Sequence, residues 1–150
     1  MQNEQYNFIE DMGQHMVGWG VPRNTGRVYA YLLLQRGAAS LDRIASDLGI
    51  AKSGVSVAAR QLVGFGLARS IGERGSRRLL YEALVSLQAI MAARSPGSDE
   101  LMLRLRQGAA VAPAGPRRES LESLAEILQE LSAELPGLIQ RIQERRKRTA

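Results

Sequence analysis

Cysteine is missing from this 150-residue chain, and histidine and tryptophan occur once each. Without cysteine there can be no disulfide, no thiolate-bound zinc and no thiol redox sensor. With His15 as the single imidazole, a metal site would need carboxylates almost alone, and no carboxylate cluster stands out. No apolar run is long enough to span a bilayer. The N-terminal MQNEQYNF is polar and acidic, unlike a secretory signal. These absences lead to the expectation of a cytosolic protein. There is also no nucleophile–base pairing, phosphate-cradling loop or metal-ligand spacing, so neither an enzyme nor a cofactor is expected.

Hydrophobic residues make up 45% and charged residues 23%, the balance of an ordinary globular domain with a real core. The formal charge is +5, and its distribution says more than its total. Residues 1–22 carry three acids and no base, residues 23–82 ten bases and four acids, and residues 83–150 ten bases and eight acids. The positive charge is thus concentrated in the middle of the chain, as on a surface that meets phosphates.

Hydrophobic spacing predicts helices over 3–17, where Phe8, Met12 and Met16 recur with Ile9 beside them, and over 23–36, where Val28, Tyr31, Leu32 and Gln35 share a stripe. Gly18, Gly20 and Pro22 punctuate the junction between them. Ser40 can cap a third helix, whose buried face is Leu41, Ile44, Ala45 and Leu48. Gly49 supplies a left-handed turn residue, with Ile50 packing behind it. A fourth helix from Lys52 to Phe65 buries Val55, Ala58, Ala59 and Leu62; its small alanines permit a close helix crossing. Alternation then predicts a strand over 67–71, a turn over 72–76, a return strand over 77–82 and a helix over 83–94. Two helices with a tight turn between them, followed by a hairpin, make a winged helix-turn-helix.

With one face of the fourth helix buried, its outer face is Lys52, Ser53, Ser56, Val57 and Arg60, with Gly54 allowing close approach of a DNA backbone. A recognition helix needs such N-terminal outer residues to reach base edges in the major groove. Serine donates or accepts there, Val57 suits a thymine methyl, Arg60 a guanine or a phosphate, and Lys52 a phosphate. A solvated polar face is the bland reading of one such helix alone; the neighbouring helix and hairpin favour DNA. The hairpin holds Arg69, Arg74, Arg77 and Arg78 within ten residues that contain only Glu73 as an opposing charge, which suits the concentrated negative potential of a minor groove better than mere solubility. Arg74, in the turn, is the best single candidate. Alternation along the return strand points Arg77 and Arg78 to opposite faces. Ala51 stands where a capping serine or threonine is common, so the recognition helix starts weakly, at a cost of about 1 kcal/mol.

Ser95-Pro96-Gly97 breaks the chain, Ser98 can cap a short helix, and Gly108 to Pro116 reads as a loop. Beyond it, Leu121, Leu124, Leu128, Leu131, Leu135, Leu138 and Ile142 alternate spacings of three and four, a sustained heptad seam interrupted by Pro136. Seven such positions exceed what one short intrachain partner needs and favour dimerisation. Trp19, in GWG between two helices, reads as a core anchor ahead of the wall of an effector pocket. His15 reads as a surface or interface residue.

The segments GVPRNTGRVYAYLLLQ (20–35), LDRIASDLGIAKSGVSVAARQLVGFGLARSI (41–71) and GERGSRRLLYEA (72–83) resemble the MarR family of bacterial transcriptional regulators, and within it the GbsR-like branch. The resemblance covers residues 20–83. It implies a homodimer of winged-helix protomers joined by terminal helices, operator binding, repression as the usual outcome, and in many members relief by a small molecule; no effector can be carried over. It places Lys52, Ser53, Gly54, Ser56 and Arg60 on the recognition helix and Arg74 with its neighbours on the wing.

The expectation is a mainly α fold with a small β-hairpin. It comprises an N-terminal helix over 1–20 with a dimer contact, a winged helix-turn-helix over 21–83, and a helical dimerisation region over 84–150 with a loop near 108–116. The expected partners are double-stranded DNA and a second copy of the chain, with an unidentified small-molecule effector also possible. A winged-helix module that binds protein instead of specific DNA is the alternative.

Overall fold

The computed structural model describes residues 1–94 and 98–150, so the expected break at 95–97 lies outside the described residues, as does the side chain of Ser98. The elements in chain order are α1 (Asn3–Val17), α2 (Arg23–Leu33), β1 (Ala39–Ser40), α3 (Leu41–Leu48), α4 (Lys52–Phe65), β2 (Ala68–Gly72), β3 (Leu79–Ala83), α5 (Leu87–Arg94), α6 (Ser98–Val111) and α7 (Pro116–Arg148). They divide into two compact units, Met1–Pro96 and Gly97–Ala150.

In the first unit α2 is the central element. Every residue from Thr25 to Leu32 is buried, because α1, α3, α4 and β3 all pack on it. The expected single stripe of Val28, Tyr31, Leu32 and Gln35 therefore understates its burial. Burying a helix all round needs close neighbours, and two glycines supply one approach. A Cβ on Gly13 would meet Arg27 Cγ at 2.5 Å, and one on Gly26 would meet Gly13 Cα at 3.0 Å. The buried face of α1 is accordingly Ile9, Gly13 and Met16, while Phe8, expected inside, is exposed. Trp19 is partly buried against the core and stacks edge-on with His15 at 5.5 Å between ring centres.

Burying α2 also buries Arg27. Its Nε donates to Glu10 Oε1 at 2.7 Å, its Nη1 to Asn24 Oδ1 at 3.2 Å and its Nη2 to the carbonyl of Leu48 at 3.2 Å. Leu48 ends α3, where carbonyls lack helical partners. One guanidinium thus ties α1, α2 and α3 together with each of its nitrogens hydrogen-bonded, the condition for burying a charge.

The helix-turn-helix follows the sequence closely. Ser40 Oγ accepts from the Arg43 N–H at 3.2 Å, and Gly49 adopts φ 64°, ψ 33°. The buried residues of α4 are Val55, Ala58, Ala59 and Leu62. Ala51 is the N-cap of α4 and makes no side-chain cap.

The sheet has the antiparallel order β1-β3-β2. Sequence reading treats Ser40 only as a helix cap; it is also half of a two-residue strand, paired with Leu80 while Ala39 pairs with Tyr81. Ala83 belongs to β3, opposite Ala68, and the Leu84 N–H continues the ladder to the carbonyl of Leu67 at 2.8 Å. The next helix therefore starts after Ser86, whose Oγ accepts from the Ala89 N–H at 3.3 Å, rather than at Ala83.

In the second unit the expected loop at 108–116 shrinks to 112–115. α6 continues through Val111 because Ala109 is buried and Gly108 lies against α7, where an added Cβ would stand 3.7 Å from Leu121 Cδ1. Gly115, at φ 141°, precedes Pro116 in the first turn of α7. α7 then runs through Pro136 without interruption. The heptad seam does not act as one surface. Leu121, Leu128, Leu135 and Ile142 are half-buried, Leu124, Leu131 and Leu138 are exposed, and the buried residues of α7 are Ala125 and Ile139. The architecture is a mainly helical winged helix-turn-helix flanked by helices at both ends.

Candidate nucleic-acid interface

The β1–β3 pairing decides where the charged residues meet. It sets the start of α3 beside the C-terminal limb of the hairpin, and α4 closes the other side. The result is an open cleft of about 420 Å³ lined by Lys52, Ser56 and Arg60 of α4, Asp42 of α3, and Arg77 and Arg78 of the hairpin, with Leu79 and Tyr81 among its apolar walls. Four cations against one carboxylate give the cleft a net positive charge.

α4 presents the rest of its outer face beside this cleft. Ser53 and Val57 are exposed, Val57 at 46%. Arg60 folds back so that its Nε donates to the carbonyl of Ser56 at 3.4 Å. Gly54 is half-buried, and a Cβ there would stand 3.3 Å from Ile50 Cγ2. Its missing side chain gives room to the turn residue Ile50. Ala51 leaves the first N–H groups of α4 without a side-chain cap.

The hairpin turn closes through the Ser76 N–H on the carbonyl of Glu73 at 3.1 Å, with Arg74 and Gly75 at its tip and Gly75 at φ 77°. That positive φ favours glycine and leaves Arg74 projecting from the tip of the wing. The Arg78 N–H donates to Ser76 Oγ at 3.0 Å, and its carbonyl accepts from the Glu73 N–H at 3.2 Å. These bonds hold Arg77 and Arg78 in the loop before β3. The expectation that they point to opposite faces of a strand is therefore wrong: strand alternation does not apply there, and both line the cleft.

The four wing arginines are not equivalent. Arg69 stands directly opposite Glu82 on β3 and is ion-paired with it. Arg78 lies 3.6 Å from Asp42 Oδ2, and Lys52 lies 3.0 Å from Asp42 Oδ1. Arg74 and Arg77 join no ion pair among the described residues. Asp42 is the residue that sequence reading missed. Its signal would have been the β1–β3 pairing, which two residues of strand do not announce.

A larger concavity of about 550 Å³ lies near the end of α2, lined among others by Tyr31, Arg36, Arg43 and Asp47. There the Tyr31 hydroxyl donates to Asp47 Oδ2 at 2.6 Å. Burial, reinforced by that carboxylate, pushes the Tyr31 pKa up to about 12. The cleft between α4 and the hairpin is the better candidate for an interface, because four cations converge there. Among the described residues no cluster of three histidines or carboxylates could hold a metal ion, and no helix is long and apolar enough to cross a membrane.

No protein-family model matches the chain. Two Bacillus subtilis (strain 168) proteins are similar to it over 82 residues: one carrying the name of an HTH-type transcriptional regulator, YvaV, at 27% identity, and the HTH-type transcriptional repressor OpcR at 24%. The match takes in 55% of this chain and 46% and 44% of those proteins, so the chain spans about half the length of the curated relatives it matches. A crystal structure of a transcriptional regulator superimposes with a TM-score of 0.75 at 22% identity, over 94% of this chain and 99% of that one. The chain thus has the fold of a transcriptional regulator of known structure and is similar in sequence to two helix-turn-helix transcriptional regulators.

Proposed function

We propose that this protein is a sequence-specific double-stranded DNA-binding regulator that acts as a homodimer and represses transcription, in the manner of the GbsR-like branch of the MarR family. The observation that carries the reading is the convergence of Lys52, Arg60, Arg77 and Arg78 on one cleft beside the exposed outer face of α4. In this reading α4 enters a major groove, with Ser53, Ser56, Val57 and Arg60 toward base edges and Lys52 toward phosphate. The wing tip, led by Arg74, enters the adjacent minor groove.

The exposed row Leu124, Leu131 and Leu138 on α7 supports a second copy as the other partner. Two-fold symmetry then requires a near-palindromic operator with half-sites about one helical turn, roughly 34 Å, apart. Repression is the outcome suggested by the relative OpcR, itself named a repressor.

The test is selection of bound duplexes from a random pool, followed by binding measurements across a salt series. Enrichment of a two-fold symmetric site, with affinity falling steeply as salt rises, is expected. Recovery of no preferred sequence, with binding lost near physiological salt, would reject the regulator reading and leave a protein-binding winged helix.

A further inference from the structure

Asp42 is the one carboxylate in a cleft lined by four cations, and it touches two of them. Its Oδ1 lies 3.0 Å from Lys52 Nζ and its Oδ2 3.6 Å from Arg78 Nη2. The fold places it there through the short β1–β3 pairing. Ala39 pairs with Tyr81 and Ser40 with Leu80, which sets the first turn of α3, where Asp42 lies, beside Arg78 in the loop that enters β3. The three side chains are 58%, 62% and 54% exposed, so the pairs are held at the mouth of the cleft rather than inside the protein. Ser40 caps α3, and Asp42 stands in the first turn of that helix with its side chain exposed.

We propose that Asp42 is a built-in competitor for DNA phosphate, which holds Lys52 and Arg78 in the free protein and lowers the sequence-independent part of DNA affinity. The inference rests on the reading of the cleft as a DNA interface. For a phosphate oxygen to reach Lys52 or Arg78, it must displace the carboxylate, and the displaced carboxylate then stays in the same concavity as the phosphate and repels it. Both penalties are paid with any sequence, because phosphate contacts carry no base information. Base-edge contacts from the outer face of α4 are left untouched. Asp42 thus sets how far the protein depends on those contacts to stay bound, since non-specific binding has little else but phosphate attraction to sustain it.

The test compares the full chain with Asp42→Asn and, as a shape control, Asp42→Ser, on a short fluorescent duplex of mixed sequence and on a duplex selected by the wild type. Asp42→Asn is expected to tighten binding to both duplexes by the same factor, about three- to tenfold, the range two exposed ion pairs supply. It is also expected to steepen the salt dependence by about one unit of slope. In a Lys52→Gln/Arg78→Gln background the same substitution should change affinity little.

Equal or weaker binding by Asp42→Asn and Asp42→Ser, with melting temperatures matching the wild type, overturns the proposal. So does a change of base preference, which would make Asp42 a base reader, or a full effect persisting in the Lys52→Gln/Arg78→Gln background. A wild type that binds neither duplex rejects the DNA interface itself, a different failure from a wild type that binds while Asp42→Asn matches it.

Discussion

Arg69 and Glu82 face each other across the β2–β3 ladder and are joined by an ion pair. That pairing separates Arg69 from Arg74 and Arg77, which join no ion pair among the described residues. Cross-strand charge pairs contribute modestly to a sheet. Arg69→Ala is therefore expected to change DNA affinity by no more than about twofold. Arg74→Ala, at the wing tip, should weaken binding across all sequences and lower the salt slope by about one, with the fold unchanged. Fluorescence anisotropy titrations at several salt concentrations check both; equal losses from the two variants would contradict the distinction.

Arg27 holds three helices from within the first unit, with its side chain 10% exposed and Glu10 as its counter-charge. Removing it leaves Glu10 without that partner and the Leu48 carbonyl without a donor. Glu10 keeps its ion pair with Arg23, so Arg27→Ala should cost about 1–3 kcal/mol, the range for leaving a buried polar group unsatisfied. A urea unfolding curve should show the midpoint falling with little change in slope. A shift typical of a surface substitution would mean that the network is dispensable.

Tyr31 supplies a pH signature. Its folded-state pKa is raised, to about 12 from 10.0, by burial first and the Asp47 carboxylate second. The folded state therefore keeps a proton that the unfolded chain loses. The associated stability is complete below pH 10.0 and disappears as pH rises toward about 12. Near neutral pH, Tyr31→Phe should be less stable by about 1 kcal/mol, the hydrogen bond to Asp47. Between those two pKa values the gap should narrow, because the variant has no phenol to ionise. Thermal melts of the two proteins from pH 7 to pH 11 would show the convergence; parallel curves would exclude it.

Leu131 is 58% exposed at the middle of the open row of α7. In the proposed dimer, Leu131→Lys places a charge in an apolar interface. Sedimentation velocity should shift toward the monomer, and affinity for a two-half-site operator should drop while helix content by circular dichroism stays constant. An unaltered sedimentation coefficient would move the interface elsewhere.

Much of this molecule could be read without coordinates. The buried face of α4, Val55, Ala58, Ala59 and Leu62, follows from helical spacing alone, as does the Ser40 cap and the left-handed Gly49. These are local properties, set by 3.6-residue periodicity and by the backbone freedom of glycine. The wing arginines and the cations of α4 were legible as residue types in a positive segment, but their partners were not. Gly54 shows the limit well: its lack of a side chain was visible, while its close neighbour, Ile50, was not.

The sequence by itself determined which segments are helix, turn and hairpin, and which face of the helix-turn-helix is buried, because those depend on neighbours a few residues away. Tertiary structure decided what depends on distant pairing. It buried α2 on every side, kept α6 helical into the expected loop, and divided the α7 leucines into half-buried and exposed rows. The two-residue pairing of β1 with β3 brought Asp42 to Lys52 and Arg78, thirty-six positions apart in the last case. Strand pairing converts separation along the chain into contact in space, and no local pattern of residues encodes that step.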